Sequence, residues 1–295
     1  MKKSIRVLAL ILALSLFAAM ALGSGSSEEG KEIVTNPPAS DEVEQVSDLP
    51  TIEEQILMDQ DGIKITAKEY VDDSIWGEGI KVLIENNSDR NVGVGLNALI
   101  VNNYMITDLF ASSVAAGKKA NETIYISSSA LEAAGIDSIG QIELYFHVYD
   151  SDSYNTLFDA DVVTIQTSAF SEMDVTPADS GTELYNGNGV RVVGKFVNED
   201  TFWGTAVLLY LENTSGKNVS VSCENMSING FMVTPYFTST IYDGKMAIDE
   251  ITILSTDLEE NGIEAVEELE LAFHIYDPDT YRTIVDTDPI VFSAN

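Results

Sequence analysis

Few residues in this chain have types that could do chemistry. His147 and His274 are its two histidines. Each stands in a Phe-His-x-Tyr-Asp string that runs on into two Asp-x-Asp pairs. After His147 these are Asp150-Ser151-Asp152 and Asp159-Ala160-Asp161; after His274 they are Asp277-Pro278-Asp279 and Asp286-Thr287-Asp288. An imidazole near a carboxylate could act as a general base, but only with a nucleophile and an orienting acid within reach. No nucleophile-elbow string accompanies either histidine. Zinc needs several nitrogen or sulfur ligands around one ion, and Cys223 is the single cysteine. Calcium suits the carboxylates better, since it takes roughly six to eight oxygens. Asp150, Asp152, Asp159 and Asp161 would bracket one calcium-binding hairpin, and Asp277, Asp279, Asp286 and Asp288 the other. The competing reading is turn chemistry, in which each Asp caps its own backbone. The spacing is not that of an EF-hand loop. Calcium is therefore the one cofactor considered. A paired-carboxylate glycosidase ranks last, because it needs a cleft between the two carboxylates.

The elements that must carry these residues read as strands. Along Ile142 to Tyr149, Leu144, Phe146 and Val148 share one face, and Tyr145, His147 and Tyr149 share the other. Period two thus turns both His147 and its counterpart His274 away from the core, placing them to stack on Tyr149 and Tyr276. Further strand candidates are Ile63–Ala67, Gly79–Glu85, Val92–Ile100, Tyr104–Phe110, Ile124–Ser127 and Val162–Thr167. Strands at this spacing indicate an antiparallel sandwich or barrel, with about seven strands per unit. One helical signal interrupts them. Ser128-Ser129-Ala130-Leu131-Glu132 ending at Gly135, and Ser255-Thr256-Asp257-Leu258-Glu259 ending at Gly262, read as capping boxes with a glycine stop. Trp76 and Trp203 each precede a glycine. Two places are open to them: a buried sandwich core or an exposed aromatic platform, extended by Tyr70, Tyr104 and Tyr125 or by Phe202, Phe231 and Tyr236.

The chain carries this pattern twice. Residues 62–168 shifted by 127 positions lie on 189–295 without a gap, and about a third of the positions are identical. A repeat of that length is a whole domain rather than a solenoid unit. The expected organisation is a signal peptide over 1–23, an acidic disordered spacer over 24–54, a first domain over 55–168, a short linker over 169–181 and a second domain over 182–295. Met1-Lys2-Lys3-Ser4-Ile5-Arg6 followed by the apolar run Val7–Leu22 is the export signal. The spacer is too poor in large apolar groups to offset its ordering entropy. Its signal lacks a nearby cysteine for lipidation, so a membrane association would need some other anchor.

The net charge is -33. Residues 55–168 carry 6 basic and 17 acidic side chains, net -11, and residues 181–295 carry 5 and 19, net -14. Both halves are acidic, which argues against nucleic acid and anionic lipid as partners. A single cysteine excludes an internal disulfide. Cys223 takes the place of Leu96 in the other copy, so it reads as a small buried apolar group.

Trp-Gly, Glu-Asn-x-Ser, Gly-Lys-x-Ala, Leu-Glu-x-x-Gly-Ile and Glu-Leu-x-Phe-His-x-Tyr-Asp together resemble an immunoglobulin-like repeat of exported proteins and lipoproteins in Gram-positive bacteria, generally domains of unknown function. The resemblance covers both copies and implies a sandwich fold and a secreted or cell-envelope location. It brings no catalytic residues. The expectation is an all-β chain of two tandem immunoglobulin-like sandwiches, each with one short helix in a crossover. It would act as a non-enzymatic binding or adhesion module for an extracellular protein or polysaccharide. A calcium-rigidified spacer is the alternative, and an unrecognised hydrolase comes last. Exposed aromatics beside the Asp hairpins would favour carbohydrate, converging carboxylates calcium, and a deep pocket holding His147 or His274 catalysis.

Overall fold

The computed structural model describes residues 49–107, 110–198 and 204–293. The signal segment, the spacer up to residue 48, and Trp203 and Phe202 lie outside the described residues. The first repeat forms β1 (Gln55–Gln60), β2 (Ile63–Asp73), β3 (Gly77–Asn86), β4 (Val92–Val101), β5 (Tyr104–Ile106), β6 (Ala111–Val114), β7 (Lys119–Tyr125), α1 (Ser128–Ala134), β8 (Gln141–Asp150), β9 (Thr156–Asp159) and β10 (Val163–Gln166). The second forms β11 (Thr182–Gly187), β12 (Val190–Asn198), β13 (Gly204–Asn213), β14 (Val219–Ile228), β15 (Phe231–Met232), β16 (Thr238–Ile241), β17 (Lys245–Leu254), α2 (Ser255–Asn261), β18 (Glu268–Tyr276), β19 (Thr283–Asp286) and β20 (Ile290–Ser293). Element follows element in the same order, and β2, β3, β4, β8, β9 and β10 begin 127 positions before their counterparts.

Ten strands per repeat replace the seven expected. The run Tyr104–Phe110, read as one strand, splits into β5 and a gap before β6. Both pair with β4, β5 along Leu99–Val101 and β6 along Val92–Gly95, on either side of a bulge between Leu96 and Ala98. The spacer also ends earlier than expected. Thr51 exchanges backbone and side-chain bonds with Ser168, and Ile52 packs on the first core, so this segment has partners that its composition does not reveal.

The strands form an all-β sandwich architecture of three sheets. The first runs β1-β2-β3-β7. The second has ten strands and crosses both repeats, in the order β10-β8-β4-β5-β17-β13-β12-β11, with β6 and β9 attached. The third runs β15-β14-β18-β19, with β16 and β20 attached. All pairings between these strands are antiparallel except β5 with β17, where Tyr104 and Met105 meet Met246 and Ala247. Alternation assigns the faces. Tyr104, Ile106, Phe146, Val148 and Met246 belong to one core, and Ala247, Ile251 and Ile253 to the other. The two cores therefore lie on opposite faces of the shared sheet. The segment between β10 and β11 is tied down: Ala178 N–H donates to Tyr104 Oη at 2.7 Å, Asp179 pairs with Arg191 at 2.7 Å, and Lys195 Nζ donates to the Ala178 carbonyl. Ser47–Asn295 is one compact unit.

The helices cap differently from expectation. Ser127, not Ser128 or Ser129, is the N-cap of α1, and its Oγ accepts from Ala130 N–H at 3.3 Å. The return bond of a capping box would need an acid at 130, where an alanine stands. Leu254 precedes α2 with no side-chain cap. Both helices do stop at a left-handed glycine, Gly135 and Gly262. Cys223 is buried in the second core, as its exchange with leucine implies.

Candidate functional site

The outer face of β8 presents Tyr145, His147 and Tyr149, while Phe146 and Val148 are fully buried behind them. The register of β8 with β9 sets His147 opposite Asp159. His147 Nδ1 lies 2.6 Å from Asp159 Oδ1, which also accepts from Asn97 Nδ2 at 2.8 Å. These bonds, the histidine's first, hold the Asp159 carboxyl below its ordinary range. In the second repeat His274 Nδ1 lies 2.5 Å from Asp286 Oδ1. Glu224 stands there in place of Asn97, so the amide partner is missing. A histidine oriented by a carboxylate has one ring geometry, and that geometry positions what stacks on it.

What stacks on it is a ladder of tyrosines. The His147 ring lies 5.7 Å from Tyr149, tilted by 24°, and Tyr149 lies 6.1 Å from Tyr154, tilted by 18°. The second repeat reproduces this, with His274 to Tyr276 at 5.0 Å and 24° and Tyr276 to Tyr281 at 6.1 Å and 17°. Tyr154 and Tyr281 are 79% and 78% exposed and hold φ of 59° and 56°. A bulky side chain in the left-handed region costs roughly 1–2 kcal/mol relative to glycine, the residue that turns normally place there.

The aspartates explain how that conformation is held. Asp150 Oδ1 accepts from the N–H groups of Asp152 and Ser153 and from the Ser153 hydroxyl, while Tyr154 N–H donates to the Asp150 carbonyl at 2.7 Å. Asp277 Oδ1 likewise accepts from Asp279 and Thr280, and Tyr281 N–H donates to the Asp277 carbonyl at 2.8 Å. These donors, led by the N–H of Ser153 and of Thr280, hold both carboxyls below their ordinary range. The turn reading holds for Asp150 and Asp277, whereas Asp159 and Asp286 face histidine side chains. Asp150, Asp152, Asp159 and Asp161 do not form one cluster of three or more ligands in this structure, nor do Asp277, Asp279, Asp286 and Asp288. Among the described residues no group of three or more acidic, His or Cys side chains is placed to hold a metal. Asp150 and Asp277 use Oδ1 on the turn, Asp277 Oδ2 lies 3.5 Å from Lys217 Nζ, and Asp159 and Asp286 use Oδ1 on histidine.

Trp76 also departs from the sandwich-core reading. It is 65% exposed and lies 6.1 Å from Tyr125, beside an apolar groove of about 500 Å³ that Phe110, Ala111, Tyr125 and Ile126 also line. Asp73 Oδ1 accepts from the N–H groups of Ile75 and Trp76, so a surface turn carries the indole outward. None of the groove's lining residues belongs to the ladder. Tyr104 is buried between the repeats, and Phe231 and Tyr236 are exposed. Tyr154 and Tyr281 were not singled out from sequence. The signal for them was present: a tyrosine ends the Asp-x-Asp-x-Tyr string in both copies, where a left-handed residue closes the turn.

No protein-family model matches this chain, and no curated protein matches it. Solved structures with likeness include a protein of unknown function from Porphyromonas gingivalis W83 (11% identity, 70% of this chain and 88% of that one, TM-score 0.20). An Amycolatopsis orientalis exo-chitosanase aligns at 14% identity over 72% of this chain and 25% of its own, TM-score 0.26. The YadV chaperone aligns at 13% identity over 71% and 90%, TM-score 0.22. Likeness this distant says nothing about function. No helix among the described residues is long and apolar enough to cross a membrane.

Proposed function

We propose that this chain is a non-catalytic binding module of the bacterial cell envelope and that its ligand is a polysaccharide. The observation that carries the reading is the pair of exposed aromatic ladders, Tyr149–Tyr154 and Tyr276–Tyr281, one in each repeat and each flanked by carboxylates. A pyranose has an apolar C–H face and a polar rim. Tyrosine rings offer a matching apolar face with a polar tip, and the neighbouring Asp152 and Asp279 offer acceptors to the hydroxyls. A net charge of -33 disfavours a polyanionic polymer, so a neutral or cationic one is the better fit. Strained tyrosines kept in both turns support a role outside folding, since glycine would suit the backbone better. Two weak sites on one body gain avidity on a repeating polymer. The export signal and the resemblance to envelope repeats support the location, and the ten-stranded sheet suits a stiff arm that presents both ladders.

The test is binding of the purified chain to neutral, cationic and anionic cell-wall polysaccharides and to extracellular proteins. The variant carries Tyr154→Gly and Tyr281→Gly. Polysaccharide binding that falls from about fivefold to about a hundredfold in the variant, with melting unchanged or raised as the backbone strain is relieved, is expected from the loss of roughly 0.5–1.5 kcal/mol per ring contact in each of the two repeats. Binding to protein alone, or binding that the variant retains, would sink the proposal.

A further inference from the structure

The junction between the repeats leaves two unused halves of itself at the ends of the molecule. Inside the chain, β5 of repeat one pairs with β17 of repeat two: Tyr104 meets Met246, Met105 meets Ala247, and Met246 N–H donates to the Asn103 carbonyl at 3.0 Å. Lys245 Nζ closes the junction on Glu143 Oε1 at 2.6 Å. The counterpart of β17 in repeat one is β7, and β7 is the last strand of the first sheet. The counterpart of β5 in repeat two is β15, and β15 is the last strand of the third sheet. Tyr104 is buried in the junction, whereas Phe231 and Met232, the equivalents of Tyr104 and Met105, are 49% and 64% exposed. The same strand is covered in one copy and bare in the other.

The charges repeat as well. Lys245 corresponds to Lys118, just before β7, and Glu143 corresponds to Glu270 on β18. Both are exposed and neither has an ion-pair partner among the described residues. Of the six basic residues in repeat one, five (Lys64, Lys68, Lys81, Lys118 and Lys119) lie on β2, β3 and β7 or beside them. Glu54, Glu69 and Glu85 pair with Lys68, Lys81 and Lys119 and leave Lys64 and Lys118 over, of which Lys118 is the one that matches Lys245 of the junction. In repeat two, the stretch Asp257 to Glu270 holds seven acids and no base. Inside the chain α1 packs beside β17; the matching neighbour outside would be acidic α2 beside lysine-bearing β7.

We infer that this chain binds a second copy of itself head to tail, with β15 of one molecule adding in parallel to β7 of the next and Lys118 meeting Glu270 across the contact. The surfaces differ from each other, so the contact is heterologous and leaves a free β7 and a free β15 after each addition. Such a contact builds an open series rather than a closed dimer. An exposed apolar edge strand of this kind is a template for pairing with another chain.

The test is sedimentation velocity of the full chain from micromolar to millimolar concentration. Wild type is expected to pass through dimer, trimer and longer species. Lys118→Glu is expected to weaken association at least about tenfold, as for a charge pair inside an interface. Glu270→Lys is expected to do the same. Lys118→Glu and Glu270→Lys combined in one chain restore the complementary pair and are expected to restore the series. All three sites are surface changes, and unchanged melting checks the fold; Met232→Lys, on the bare edge, is a second disruptor. A chain monomeric at millimolar concentration, a series that stops at dimer, or association that Lys118→Glu leaves unchanged would each overturn the inference.

Discussion

Truncating Lys245 to alanine isolates what holds the repeats together. Its ammonium and the Glu143 carboxylate are 15% and 10% exposed and sit 2.6 Å apart. Lys245 also donates to Asn103 Oδ1 at 3.3 Å, and Gln141 Nε2 donates to the same Glu143 oxygen at 3.1 Å. Removing the lysine leaves a buried carboxylate with one neutral donor. Breaking a buried pair from one side costs about 3–5 kcal/mol; the bond from Gln141 places this variant near the lower limit, about 3 kcal/mol. Replacing both partners with apolar residues of similar volume, Lys245→Met with Glu143→Leu, removes the stranded charge and should return to within about 1 kcal/mol of wild type. Native-state hydrogen exchange at β5 and β17 is the assay, because it reads local opening where a chain with two cores need not unfold in one step. Exchange in these strands should quicken on the order of a hundredfold in the alanine variant and recover in the double variant. A loss below about 1 kcal/mol would mean that the pair behaves as a surface bridge, and the junction would then rest on strand pairing and packing alone.

Other consequences follow from single side chains. Burial raises the carboxyl of Asp249 above the ordinary 3.8, against bonds from Glu250 N–H and Ser239 that lower it. The folded state then binds this proton more tightly than the unfolded state. Stability is highest below the unfolded value and falls as pH rises through the folded one, so Asp249→Asn should raise the melting temperature at neutral pH and flatten its pH dependence. The Cys223 thiol, pushed up to about 12 by burial, should stay unreactive to thiol reagents until urea opens the second core. A Cβ on Gly93 would come within 2.1 Å of the Tyr149 ring; Gly93→Ala should displace that ring and weaken ligand binding through the first ladder while the second still binds. Phe146→Ala should cost about 3–5 kcal/mol, as for any fully buried aromatic in a packed core.

Local period and internal repetition made most of the strand pattern legible. Alternation along Leu144 to Tyr149 placed His147 on the outer face, and the shift of 127 positions aligned most strand starts between repeats. The shared sheet was not legible. β5 is three residues long, and nothing in Tyr104-Met105-Ile106 distinguishes a strand that pairs with its own repeat from one that also pairs with the other. Residue type leaves Trp76 open between the core and an exposed platform; the turn built by Asp73 decides it by carrying the indole into solvent. The histidine end of each ladder is readable from strand period, and its tyrosine end only from the repeated Asp-x-Asp-x-Tyr string that closes the turn. Tyr154 and Tyr281 project because a left-handed backbone aims them, and composition does not report φ. The same carboxylates that suggested calcium are the ones that hold this backbone in place.

The most direct measurement is NMR shift mapping of the chain titrated with a neutral cell-wall polysaccharide. Perturbations centred on His147, Tyr149 and Tyr154 and on His274, Tyr276 and Tyr281, with both sets saturating together, are the expected result. Perturbations confined to the Trp76 groove, or no shift at saturating polysaccharide, would contradict the assignment of the ladders as the binding surface.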